Sequence, residues 1–151
     1  MVFQSNPPES VLISLKFVNI LMKHGKKSKA WKLYTTMLRY LQQTASQSPQ
    51  EIVNQAVIHC MPLVEVRKVR VAGTTYFVPG ILAKKKQQAL AIRWIVESAR
   101  QKSRTTSRPF AQCLAQEITD AFLYQGSARA KRTELHRLAE LNRAYTRYRW
   151  W

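Results

Sequence analysis

Acidic residues are few in this sequence. Eight Asp and Glu stand against 25 Lys and Arg in 151 residues, a formal net charge of +17. A compact chain with that charge repels itself unless a polyanion neutralises it, and the candidates are nucleic acid and an anionic membrane surface. Cysteine is scarce as well. Cys60 and Cys113 make no disulfide framework, so a reducing compartment is expected. No apolar run is long enough to span a bilayer. The best, from Val11 to Met22, is short and contains Lys16, so no membrane partner is expected. The first ten residues carry no Lys or Arg and resemble neither a signal peptide nor a transit peptide.

Catalytic chemistry is also missing. There is no glycine-rich phosphate loop and no carboxylate pair at a working spacing. Cys113 and His136 share no motif, and a small buried cysteine is the commoner role. His59-Cys60 lacks the second pair of ligands that a zinc site needs. His24 beside the lysines is either a phosphate contact or a surface residue. No catalytic residue, metal or cofactor is expected, and the chain does not read as an enzyme.

What is present is a core-forming chain. With 46% hydrophobic residues it is not a disordered tail, and its length suits one domain over 1–151. The pattern predicts a mainly α fold, a six-helix bundle with one projecting β-hairpin between helices three and four. Leu12, Leu15, Val18 and Met22 mark a first helix that stops at Gly25. Ile13, Phe17, Ile20 and Leu21 make it apolar nearly all round, so deep burial is expected. A second helix starts near Ser28 with Trp31, Tyr34, Leu38 and Leu41 on one face. Ser48-Pro49-Gln50-Glu51 reads as a capping box with proline at the first helical position. The third helix carries Ile52, Val53, Ala56 and Val57. The fourth runs from about Ala83 to Lys102, the fifth from Phe110 to a stop at Gly126. The sixth uses Leu135, Leu138, Leu141, Tyr145 and Tyr148.

The interruption is VEVRKVRVAGTTYFVP, a hairpin arm over about 63–79 closed by Pro79-Gly80. Val64 and Val66 share one parity, Val69 and Val71 the other, so a β-bulge near Arg67-Lys68 is expected to bring both pairs to one face. Gly73 sits where the turn needs positive φ. A two-stranded ribbon alone is marginal in water. It is therefore either a wing packed on the bundle or, as Arg67, Lys68 and Arg70 favour, a ribbon laid in a nucleic-acid groove.

Charge gathers elsewhere too. Lys26, Lys27 and Lys29 flank the start of the second helix, and Lys84, Lys85 and Lys86 open the fourth. Cations at a helix N-terminus oppose the macrodipole at about 0.3–1 kcal/mol each. A docked phosphate reverses the sign, because backbone N–H groups and lysines then point at one anion. For one such cluster simple solvation is the better account; two clusters and a basic hairpin argue for a polyanion. In the sixth helix, Arg132, His136, Arg143 and Arg147 fall on one narrow face at 3.6 residues per turn. Arg129 and Lys131 add charge at its start, and Arg149 precedes Trp150 and Trp151. That terminal pair either caps the core or stacks on bases, with core capping expected for one of the two.

KHGKKS around Gly25, PLVEVRKVRVAGTTYFVP, KKQQALAIRWIVESAR and RTELHRLAELNRAYTRYRW occur in the order found in a known family. From about Ser10 onward the chain resembles small-subunit ribosomal protein seven, of the bacterial and organellar type. The resemblance implies a helical bundle with a projecting hairpin. It implies binding to the 3′ major domain of small-subunit rRNA, early nucleation of head assembly, and a hairpin near the exit-site tRNA and the mRNA path. Head and platform ribosomal proteins are the implied neighbours. The family's RNA-contacting regions map onto Lys26, Lys27, Lys29, Arg67, Lys68, Arg70, Lys85, Lys86, Gln87, Arg93 and Trp94. Two departures stand out: MVFQSNPPES replaces the basic N-terminal arm, and Ala72-Gly73 replaces a pair of glycines. RVAGT, VPGI, GSAR and RWW look like the mitochondrial branch, which implies a matrix location and an organelle-encoded gene; another organelle or a bacterial cytoplasm is the alternative. The competing function is a basic helical nucleic-acid-binding protein outside the ribosome, which needs no such hairpin. An RNA-processing enzyme is a third class, without an acid/base constellation.

Overall fold

The computed structural model describes residues 9–44 and 47–151. The elements run α1 (Glu9–Leu21), α2 (Lys27–Thr44), α3 (Pro49–Cys60), β1 (Val64–Val71), β2 (Thr74–Ile81), α4 (Lys84–Thr105), α5 (Phe110–Phe122) and α6 (Ser127–Leu141). A 3₁₀ helix, Arg143–Tyr148, follows α6. This is the expected helical bundle with one hairpin between α3 and α4.

The core forms where the apolar stripes of the helices meet. Phe17, Val18, Tyr34, Met37, Leu41, Val53, Val57, Ile92, Ile95, Leu114 and Ile118 are all fully buried there. Each large side chain of this kind contributes about 1.5–3 kcal/mol on burial. Helix α5 is central and packs against α2, α3 and α4. The Tyr34 hydroxyl reaches the core with partners, donating to Ser14 Oγ at 3.2 Å beside the Gln50 amide. Helix α1 is less buried than its composition suggests. Ile13, Phe17, Val18 and Leu21 are inside, whereas Val11, Leu12 and Leu15 face water, because only one side of α1 meets neighbours.

Helix ends differ from the sequence expectation in instructive ways. Lys26 N–H bonds to Lys23 C=O at 3.1 Å, with His24 and Gly25 both at positive φ. Gly25 is thus the second corner of a tight turn after α1 rather than the cap of α1. Ser48 makes no side-chain cap, so the expected reciprocal capping box is absent; Pro49 does open α3. At the end of α5, Tyr124 N–H bonds to Ala121 C=O and Gln125 N–H to Asp120 C=O. With Tyr124 at φ 62, this is a Schellman stop using tyrosine where glycine is usual. Gly126 is instead the residue that precedes α6.

The hairpin ladder pairs eight residues on each side without interruption, from Val64 opposite Ile81 to Val71 opposite Thr74. The expected bulge is absent. Ala72 and Gly73 both have positive φ (48° and 84°), the signature of a two-residue type I′ turn whose twist matches the strands. A regular ladder follows from that turn, so Val64 and Val66 face opposite to Val69 and Val71. Pro79-Gly80 does not close the hairpin; β2 continues to Ile81. Hydrogen-bonded pairs alternate from the turn, which puts Pro79 in a non-bonded pair, and its missing N–H costs no ladder bond. Leu82 N–H to Leu63 C=O, 3.1 Å, continues the same alternation.

Helix α6 ends at Leu141, not near Tyr148. Asn142 closes it, its backbone N–H and its Nδ2 both donating to Leu138 C=O. The chain then tightens to a 3₁₀ helix, which eclipses residues three apart. Tyr145 and Tyr148 consequently share a side, and both rings lie 5.0 Å from Tyr76 of β2. This contact holds the turn-proximal half of the hairpin to the C-terminal segment, while the turn itself stays exposed.

Candidate nucleic-acid interface

The basic residues occupy three regions. The first is the start of α4. Ala83 precedes it without a side-chain cap, and Lys84, Lys85 and Lys86 are exposed in a first turn that contains no acid. Lys16 of α1 adds a fourth ammonium, its Nζ donating to Lys85 C=O at 2.6 Å. Burial lowers the pKa of Lys16, and the charge of Lys85 lowers it further. Four cations at the positive end of a helix macrodipole repel one another and attract phosphate. Gln87 Nε2 donates to Leu82 C=O at 2.7 Å, which ties the chain just before the helix but satisfies none of its first N–H groups. Trp94 packs against the core, so only part of its ring meets solvent; Arg93 is exposed. Lys86 and Arg93 line one depression with Glu65, which ties this region to the hairpin base.

The second region is the α1–α2 turn, where Lys26, Lys27 and Lys29 are exposed. It does not join the first. Lys16 touches the start of α4, whereas Leu21 and Lys23 share a cleft with Arg100, Ser103 and Arg104 near its end. The two lysine clusters are therefore separated by most of α4, roughly 22 Å at 1.5 Å per residue. Lys23, Arg100 and Arg104 enlarge the second region, and the sequence reading missed them because they come from two distant helices. Lys16 was missed for a different reason: inside an apolar run it reads as an interruption, although a lysine there is itself the signal.

The third region is the hairpin with the C-terminal segment. Ladder parity puts Lys68 and Arg70 on one face and Arg67 on the other. Lys68 and Arg70 are exposed, with the Lys68 ammonium 5.6 Å over the Phe77 ring. Arg67 pairs with Glu65 at 2.5 Å and lies 4.9 Å over the Trp151 ring. Trp151 packs on Gly80, where a Cβ would stand 3.2 Å from its indole nitrogen. Trp150 is 80% exposed. One of the terminal pair is used internally, but Trp151 covers the hairpin base rather than capping the core as expected.

The expected four-residue stripe on one helix face is not present. Arg132 Nε donates to Met61 C=O at 2.9 Å, and His136 Nε2 accepts from Leu63 N–H at 3.2 Å. Both fasten the α3–β1 connection. Arg143 and Arg147 lie beyond α6, and in a 3₁₀ helix residues four apart diverge by roughly 120°. Arg129 donates to His59 C=O and lies over Tyr124, and Lys131 pairs with Glu97 at 3.2 Å. Arg143, Arg147 and Arg149 are exposed.

A buried polar cluster behind this surface escaped the sequence reading. Glu117 is wholly buried, with Oε2 2.6 Å from Lys102 Nζ; Asp120 Oδ2 lies 2.7 Å from the same ammonium. Burial opposes the charge on Lys102, but the hydrogen bonds to Asp120 and Glu117 outweigh it and raise its pKa. Glu117 Oε1 accepts from Ala128 N–H and the Ser127 hydroxyl, so it caps α6 from α5. Among the described residues no group of three or more His, Cys, Asp and Glu is placed to hold a metal ion, and no helix is long and apolar enough to cross a membrane.

These features are those of a known family. The family model described as "Ribosomal protein S7p/S5e" matches residues 2–143. The chain belongs to that family. Its members are structural, non-enzymatic proteins. The "Small ribosomal subunit protein uS7" of Thermosipho africanus is 42% identical over 148 residues, covering 95% of this chain and 93% of that one. The uS7m protein of Reclinomonas americana is 40% identical, covering 91% and 85%. That of Prototheca wickerhamii is 52% identical over 67% of this chain and 46% of its own length. The S7p/S5e match spans the hairpin and all six α-helices, and stops just after α6.

Proposed function

We propose that this chain is a structural constituent of the small ribosomal subunit that binds the 3′ major domain of its rRNA and helps nucleate assembly of the head. The observation that carries this reading is the start of α4. Lys16, Lys85 and Lys86 crowd a helix N-terminus that has no side-chain cap from Ala83 and no acid in its first turn, an arrangement that favours phosphate there. Family membership along nearly the whole chain supplies the polyanion. The hairpin fits the same role. Its base is covered by Trp151 on Gly80 and its outer half is held by Tyr145 and Tyr148 on Tyr76, while Lys68 and Arg70 are free to face the expected exit-site tRNA and mRNA path. The cleft bearing Lys23, Arg100 and Arg104 offers a second anchor for phosphate.

A mitochondrial ribosome is the proposed setting. The uS7m proteins of two organisms support it, and bacterial uS7 proteins match about as well. The test is sedimentation of a native extract after cell fractionation. Co-migration with the small subunit of the organellar fraction is expected. Migration with free nucleic acid, away from subunits, would favour a basic protein that works outside the ribosome.

A further inference from the structure

Between the hairpin base and the C-terminal segment lies a groove of about 510 Å³. Pro79 and Ile81 of β2 and Ala139 of α6 supply apolar lining, and Arg143, Arg149 and His136 line it as well. Its size falls within the roughly 300–1,000 Å³ of small-ligand seats. Ile81 is 74% exposed there, in a regular strand that could have carried a polar residue at no cost to the ladder. Apolar surface left to water beside two guanidinium groups asks for a partner with one apolar flat part and one anionic part.

We propose that this groove seats a single unpaired RNA nucleotide, its base against Pro79 and Ile81 and its phosphate on Arg143 and Arg149. The proposal rests on the rRNA-binding reading above. Sequence-specific RNA recognition works on bases splayed out of the helix, and an arginine fork holds phosphate with two hydrogen bonds. His136 adds a fixed donor. Its Nε2 accepts from Leu63 N–H, which leaves the neutral ring's proton on Nδ1 for a base edge or backbone oxygen. The one acid lining the groove is Glu140, against two arginines, so the charge balance favours a phosphate over a purely apolar peptide anchor.

The test uses the full chain and a transcript of the small-subunit head rRNA in filter-binding titrations across salt. Ile81→Thr keeps a β-branched residue in the strand and should weaken binding about tenfold with the salt slope unchanged, because base contact releases no counterion. Arg143→Gln should weaken binding and reduce the slope by about one phosphate contact. A benzoylphenylalanine in place of Ile81 should cross-link to one nucleotide. Unaltered affinity and slope in Ile81→Thr, with tight binding by the parent chain, would overturn the groove and leave the rRNA reading standing. Cross-links to a protein in assembled subunits, and none to RNA, would overturn it in favour of a protein neighbour. No salt-dependent binding by the parent chain would remove the rRNA reading, and the groove with it.

Discussion

A single buried carboxylate shows how much one residue decides. Glu117 neutralises Lys102 and caps α6, so its two oxygens join three helices. Removing one member of a buried pair costs about 3–5 kcal/mol because the other charge is left behind. Lys102 is one-third exposed and keeps Asp120, so Glu117→Ala should sit at the low end, about 3 kcal/mol, read from urea unfolding. Cys60 is another buried group with a measurable consequence. Burial pushes its thiol up to about 12, helped by Glu117 and opposed by Arg129. A raised pKa favours the protonated folded state, so this contribution is intact below about pH 9 and lost as pH climbs toward 12. Lys102 loses its raised proton on the same alkaline side. Thermal melts should therefore fall above about pH 9, and Cys60 should resist thiol reagents at pH 8 until the chain unfolds.

At the scale of elements, the hairpin is the informative case. Its turn places Ala72 at φ 48°, where a Cβ costs about 1–2 kcal/mol. Ala72→Gly should relieve much of that, offset by about 0.5–1 kcal/mol of added chain entropy, and show as slower amide exchange in β1 and β2. The ladder itself depends on Tyr76. Its ring contacts, tilted against Tyr145 and stacked on Tyr148, are worth about 0.5–1.5 kcal/mol per pair beyond buried area. Tyr76→Ala should leave helical circular dichroism intact, since the core lies elsewhere, while the hairpin and the last eight residues lose protection together. If only the hairpin loosened, the 3₁₀ helix would be stable without it.

For the whole molecule, the question is how a chain of charge +17 stays compact. The answer is separation: the charges lie at both ends of α4 and around the hairpin, away from a core that is nearly all apolar. Binding to head rRNA should then be strongly salt-dependent. Changing Lys84, Lys85 and Lys86 together to Gln should lower the log–log slope by about two phosphate contacts. An unchanged slope would mean that these lysines contact no phosphate.

Composition and periodicity were enough for the mainly α class, the hairpin position and the lysines at the starts of α2 and α4, while the family resemblance was carried by four motifs in order. Those signals are local: 3.6-residue spacing, a β-branched run, charge next to a helix start. Three things were not local. The regular ladder followed from two positive-φ residues in the turn, one of them an alanine that no propensity marks. The break of α6 at Asn142 followed from Tyr145 and Tyr148 turning together toward Tyr76, a contact across more than sixty positions. The division of the basic residues into structural and exposed was set by which backbone groups they met. Arg132 and His136 fasten the strand start, whereas Arg143 and Arg149 stand beside an open groove. Sequence spacing assigns a side chain to a face; only the packed chain decides what stands opposite that face, because an unpaired carbonyl or N–H at a distant junction is what claims it.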